Sequence, residues 1–269
     1  MDPRLVAIGF VVGLLVGVSG VGGSSLVAPL MILVLGVQPL VAVGTDLVYS
    51  APTKLLGAIV HRRQGTMDWH IVLWLSLGGL PAALGGLLAL AALRARLGLH
   101  AVNAALQHAV GLLLFAVAVV IVLTFLLSLL RRDGASFKAQ PLAKPSSPAP
   151  LTWRTRTCVI ALGALVGFLV SLTSIGSGAL TLPLLYLLLP QLDLRRLVGS
   201  DVAFAALLVP VAALGHLQMG GVNLPLAANL VIGSLPGVLL GSKLCKYLPD
   251  AWLRLGVAGA LLFAGSRLI

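Results

Sequence analysis

The sequence predicts an all-α polytopic membrane protein made of two inverted-topology repeats, each of about five hydrophobic segments. Three observations carry this. Hydrophobic residues make up 59% of the 269 and charged residues only 9%, against about 25% charged in a soluble domain. Residues 5–45, 97–130, 158–192 and 202–242 contain no Asp, Glu, Lys or Arg. About 20 apolar residues span a bilayer, so each run supplies one long helix or two shorter ones. The third observation is that the two halves of the chain match. A β-barrel would need alternating polar and apolar residues, which such runs deny. Disorder, collagen and coiled coil are excluded by the same composition.

The match is specific. Gly9, Gly13, Val16, Gly22, Leu26, Pro29 and Leu30 recur at Gly163, Gly167, Val170, Gly176, Leu180, Pro183 and Leu184, an offset of 154. After one inserted residue, Gly44, Asp46, His61, Gly65, Gly78, Pro81 and Gly86 recur at Gly199, Asp201, His216, Gly220, Gly233, Pro236 and Gly241, an offset of 155. The expected organisation is a first membrane repeat over 1–130, a cytoplasmic linker over 131–157 and a second membrane repeat over 158–269. The linker is rich in Pro, Ser and basic residues, as a solvated connection is.

The segments follow in order. The first half places them at about 5–18, 24–36, 40–60, 70–93 and 101–130; the second at about 158–171, 178–190, 196–215, 222–246 and 250–268. The first two of each half are short, which suits re-entrant or broken helices. Gly-rich turns join them, at Ser19–Ser25 and Thr173–Gly178. The N-terminal stretch reads as mature structure rather than a leader, because it lacks a small-x-small cleavage site. An odd number of crossings per half puts the second half in upside down, an arrangement common in secondary transporters.

The net charge of +11 reads as a topology signal rather than a nucleic-acid signal. With the termini outside and the linker in the cytoplasm, 13 basic residues fall inside and 4 outside, as the positive-inside rule requires. Trp69, Trp153 and Trp252 suit interfacial anchors. Cys158 and Cys245 define neither a disulfide framework nor a metal set. No phosphate-loop lysine, zinc set or nucleophile elbow is present, so no cofactor is expected.

The pattern Gly13-x-x-Val16-x-x-Ser19-Gly20-Val21-Gly22-Gly23, then Pro29, then Val43-Gly44-Thr45-Asp46, resembles the TauE/SafE sulfite-exporter family, also called the toluene-sulfonate uptake permeases. Thr173-Ser174-Ile175-Gly176-Ser177-Gly178 with Pro183 and Gly199-Ser200-Asp201 fits the same pattern in the second half. The resemblance covers nearly the whole chain outside the linker. It implies transport of sulfite, sulfonates or related small organic anions across the cytoplasmic membrane of prokaryotes, with the bilayer and the anion as partners.

Several residues carry two readings each. In the turns, Ser19, Gly22, Gly23, Ser24, Ser25, Thr173, Ser174, Gly176, Ser177 and Gly178 offer N–H groups and hydroxyls at helix starts, where an anion is favoured. The same residues would also allow a tight re-entrant turn. Lys54 is a substrate counter-ion or snorkels to the cytoplasmic surface. Asp46 and Asp201 are costly inside a membrane segment and so mark coupling or gating. With Thr45 and Ser200 before them, they also read as helix caps with a first-turn acid. His61 and His216 are proton shuttles or interfacial histidines. The spaced glycines Gly9, Gly13, Gly163 and Gly167 read as helix-packing positions, and Pro81 and Pro236 as kinks or hinges.

Two functions follow from different classes. One is a secondary transporter moving a small anion by alternating access, with proton coupling at the acids. The alternative is an intramembrane aspartyl protease using Asp46 and Asp201. Gly44-Thr45-Asp46 and Gly199-Ser200-Asp201 approach the pattern of such enzymes without its second glycine, and inversion would set the two acids near opposite faces.

Overall fold

The computed structural model describes residues 3–19, 24–130, 152–190, 192–244, 259 and 262–268. Eight helices follow in order: α1 (Pro3–Ser19), α2 (Ser24–Leu35), α3 (Pro39–Arg63), α4 (Trp69–Leu130), α5 (Trp153–Thr173), α6 (Thr181–Leu188), α7 (Leu194–Gln218) and α8 (Leu224–Leu244). Residues 262–268 are helical as well. No strand occurs among the described residues. The chain is an all-α membrane protein.

Local chemistry sets the helix ends. Pro39 opens α3 at a position where its missing N–H costs nothing. His61, Arg62 and Arg63 close it at the negative end of the helix dipole. α4 is two helices in one: Gly98 breaks it at φ 79° and ψ 172°, between the segments expected at 70–93 and 101–130. Thr152 caps α5 by accepting the Thr155 N–H at 3.3 Å, and Ser174 ends it in the left-handed conformation, φ 61°.

Among the described residues, three helical stretches are long and apolar enough to cross a membrane: Trp69–Val120, Trp153–Thr173 and Arg195–Gln218. α5 thus outgrows the segment 158–171 read from the charge-free run. Its first turn carries Arg154 and Arg156, whose long stems let the charge stay at the surface; the Arg156 guanidinium lies over the Trp74 ring at 5.4 Å. α6, in contrast, has only 8 residues, shorter than the segment 178–190.

α1 packs on α8, α4 on α5, and α3 on α7. By the sequence offsets α5 corresponds to α1, and α8 to the first part of α4. The first helix of each half therefore packs on the fourth of the other. Glycines permit it. A Cβ on Gly9 would meet the Leu230 carbonyl, and one on Gly163 the corresponding Leu75 carbonyl. Gly13 faces Ser234 as Gly167 faces Gly79; Gly233 faces Val6 as Gly78 faces Ile160. Small residues give this backbone approach where no hydrophobic effect drives helices together. Leu47, Leu75, Val166, Phe204 and Leu208 belong to the buried core, while Leu77, Leu88 and Leu214 face outward to lipid.

Candidate functional site

The polar residues gather where α3 and α7 pass the turn between α5 and α6. Ser174 holds its left-handed conformation at the end of α5, and Gly176 and Gly178 follow with φ of 142° and 87°. These angles turn the chain back into α6. The turn is anchored internally: the Thr173 hydroxyl donates to the Leu169 carbonyl at 2.7 Å and accepts the Ile175 N–H at 3.2 Å.

The turn holds both acids, one toward each end. The Ser174 hydroxyl donates to Asp46 Oδ2 at 2.8 Å. Thr181, whose hydroxyl donates to the Gly176 carbonyl at 3.0 Å, and Gly178 lie close to Asp201. Asp46 is 0% exposed and Asp201 3%. The second oxygen of each, Oδ1, has no hydrogen-bond partner among the described residues. Lys54 on α3 is 9% exposed, and its charge acts on both carboxylates. Among the described residues it makes no hydrogen bond or close ion pair. Ser177 is buried beside this group.

Asp46 and Asp201 are therefore not first-turn acids. α3 starts at Pro39 and α7 at Leu194, so each acid lies seven residues into its helix, about 10 Å deep at 1.5 Å per residue. The segments expected at about 40–60 and 196–215 begin within two residues of these starts; the first-turn reading of the acids did not follow from them. Asp193 is the N-cap of α7, accepting the Arg195 N–H at 3.4 Å. The depth also explains why the acids meet one turn instead of lying near opposite faces.

Thr45 and Ser200 do cap helices, but not their own. Thr45 Oγ1 accepts the Asn223 N–H at 3.0 Å, and Ser200 Oγ the Asp68 N–H at 3.0 Å. Asp68 and Asn223 in turn cap α4 and α8, accepting the His70 and Leu226 N–H groups at 3.0 Å. Neither was singled out in the sequence, although they stand 155 apart, at the repeat offset, with matching cap chemistry. Beside these clasps, Gly44 lies against the Gly221 carbonyl and Gly199 against the Thr66 carbonyl.

The two histidines part company. His61 pairs with Thr66 Oγ1 at 2.8 Å near the end of α3. His216 is not interfacial: it is fully buried, and its Nε2–H donates to the Ser171 carbonyl on α5 at 2.8 Å. Pro81 and Pro236 lie inside α4 and α8. Gly22 and Gly23 lie outside the described residues, as do the side chains of Ser19, Ser24 and Ser25. On the remaining face of α3, Tyr49 lies beside Ser234 of α8, a pair the sequence reading passed over.

Comparison with known proteins identifies the architecture. The model of the sulfite exporter TauE/SafE family matches residues 5–268. The chain belongs to that family. It is 38% identical over the full length of both chains to a probable membrane transporter protein, YjnA, of Bacillus subtilis (strain 168). A second probable membrane transporter protein of that organism, YdhB, is 24% identical over 98% of this chain and 99% of its own. One from Xylella fastidiosa (strain Temecula1 / ATCC 700964) is 26% identical over 89% and 83%. No solved structure matches. This TauE/SafE member is a multi-pass membrane transporter, not an enzyme, and the protease alternative falls.

Proposed function

We propose that this TauE/SafE protein is a secondary transporter that moves a small anion across the cytoplasmic membrane by alternating access. Sulfite, sulfonates and related organic anions form the substrate class, following the family's name. The reading is carried by one observation. In a chain that is 59% hydrophobic, a strained turn at a helix start meets Lys54, Ser174, Thr181 and two acids, all buried. Intramembrane ionisable groups mark substrate or ion pathways.

In this reading the turn residues Thr173, Ser174, Gly176, Ser177 and Gly178 bind the anion with Lys54, and Ser19, Gly22, Gly23, Ser24 and Ser25 form the corresponding turn. Asp46 and Asp201 couple transport to protons. Thr45 and Ser200 clasp the halves, and Pro81 and Pro236 flex α4 and α8. The halves run inverted, with both termini outside and the linker in the cytoplasm; the 13-to-4 charge asymmetry supports that orientation. The reciprocal packing of α1 on α8 and α5 on α4 is what two halves related by a two-fold axis would produce.

The test is flux in proteoliposomes against sulfite, methanesulfonate, sulfate and acetate. Uptake of a sulfur oxyanion above that of protein-free vesicles supports the reading. No flux of any of the four overturns it.

A further inference from the structure

We infer that Asp46 and Asp201 are two separate proton sites, each answering to one face of the membrane, with Lys54 between them as the group that holds the anion. This rests on the anion-transport reading and deepens it. The register of α3 against α7 carries it. A Cβ on Gly57 would meet Val202, and one on Gly44 would meet His216 as well as the Gly221 carbonyl. Residue numbers rise along α3 as they fall along α7, so the two helices run antiparallel. Asp201 precedes Val202 and is therefore level with Ala58, twelve residues beyond Asp46. At 1.5 Å per residue that is about 18 Å along the helix. Each acid lies about 10 Å in from a different end of the pair, one on either side of its middle.

Lys54 stands between them. It is eight residues past Asp46 and four short of the level of Asp201. Helical side chains lean toward the helix start, here toward Asp46, so the stem carries the ammonium back toward the middle. Lys54 is buried and makes no hydrogen bond or close ion pair among the described residues. An anion drawn to it from the end where α3 begins passes Asp46 first. One drawn from the other end passes Asp201 first. Both acids are closed to solvent here. Each keeps one oxygen, Oδ1, without a hydrogen-bond partner among the described residues, and a buried carboxylate oxygen in that condition is costly while charged. Like charges close together in a low dielectric do not both stay ionised. The acid that the anion passes therefore takes a proton at Oδ1, and the proton comes from the solution on that side. With both acids ionised, Lys54, Asp46 and Asp201 sum to one negative charge. A monoanion and a proton entering together leave that sum unchanged.

The groups around each acid keep the two sites apart. Near Asp46, α3 brings Tyr49, beside Ser234 of α8, and the turn brings the Ser174 hydroxyl. His216 of α7 is turned to the Ser171 carbonyl of α5, and Arg94 of α4 to the Met219 carbonyl at the end of α7. α2 has no titratable side chain. Near Asp201, α6 brings Tyr186, which is exposed. α4 brings Asp68, whose N–H is held by Ser200 and whose carboxylate lies 3.5 Å from the exposed His70. His61 of α3 is bonded to Thr66, and Arg195 and Arg196 lie in the first turn of α7. Between the acids, α3 and α7 carry no carboxylate or imidazole. Leu47, Phe204, Ala205 and Leu208 are fully buried there, and the Ser50 and Thr53 hydroxyls donate to carbonyls of their own helix.

The test is tracer exchange in membrane vesicles of known orientation, with equal anion on both sides, the potential clamped and the pH of each side set separately. Methanesulfonate is the probe, because it stays a monoanion across the accessible pH range. If it is not moved, the screened anion that is moved takes its place, since its own titration is common to wild type and variants. In the wild type, acidifying either side with the other fixed should speed exchange, by up to about tenfold per pH unit while the acid of that side is ionised. Asp46→Asn should lose the response to pH on the side where α3 begins and keep the other. Asp201→Asn should do the reverse. A variant that loses both responses, or neither, overturns the inference while leaving the anion reading intact. So does wild-type exchange that answers to the pH of one side only, or of neither, and this decides the matter even if the variants do not fold. A wild-type protein that moves none of the four screened anions overturns both readings.

Discussion

The two halves of this transporter share a scaffold but not a lining. Their packing contacts agree position by position: Gly9 with Leu230 as Gly163 with Leu75, and Thr45 with Asn223 as Ser200 with Asp68. Along the face of α3 and α7 that approaches the acids, the agreement stops. Tyr49, Ser50 and Lys54 of α3 stand where α7 has Phe204, Ala205 and Val209. The partner positions differ too: Tyr49 meets Ser234, while Phe204 meets Gly79. Backbone approach tolerates only small residues, so both halves must keep them. The polar lining has no such constraint, and a membrane protein gains by placing costly polar groups once. The positive charge of the site therefore comes from the first half, and the described turn from the second.

The largest break in the comparison should come at its most unequal pair. Lys54→Met removes the buried ammonium of α3 while keeping the stem. Transport of the substrate found in the proteoliposome screen should fall at least tenfold. The corresponding change, Val209→Ala, leaves a small cavity in the core, and such truncations cost about 1–3 kcal/mol of stability. Its flux should stay within about threefold of wild type. Equal losses in both variants would show that the halves contribute alike.

A pair of equal effects should come from the clasps. Thr45→Val and Ser200→Ala each remove the hydroxyl that accepts a helix-start N–H from the other half. A buried donor left without a partner costs about 1–3 kcal/mol. Thermal unfolding in detergent should show both variants destabilised by a similar amount. A loss confined to one of them would mean that the scaffold is less symmetric than its contacts.

How much of this was legible in the sequence follows the same division. The all-α class, a break between the segments at 70–93 and 101–130 and the packing role of Gly9, Gly13, Gly163 and Gly167 could be read, because hydropathy and small-residue spacing report on packing directly. The depth of the acids is implied by the segments at 40–60 and 196–215, but Thr45–Asp46 and Ser200–Asp201 imitate a cap with its first-turn acid, and no polar cap marks the true start of α3 at Pro39. The capping role of Thr45 and Ser200 toward α8 and α4 was invisible for another reason. Capping is ordinarily local in sequence, and these partners lie 178 and 132 residues away. The turn residues were found, but not that Asp46 would take the Ser174 hydroxyl, because the two stand 128 residues apart in sequence.

The smallest expected effect sharpens the comparison most. Tyr49→Phe makes α3 match α7 at this position and removes the phenol beside Ser234. Ser234 keeps its own partner, because its hydroxyl donates to the Val231 carbonyl at 3.1 Å. The loss is at most that of one neutral hydrogen bond, about 0.5–1.5 kcal/mol. The ring keeps its volume, so the contact of α3 with α8 should persist. If Tyr49 serves packing alone, stability drops by that amount and flux is unchanged. A fall in flux beyond the stability loss would place the phenol in the polar lining with Lys54. The first half would then carry the substrate's path as well as its charge.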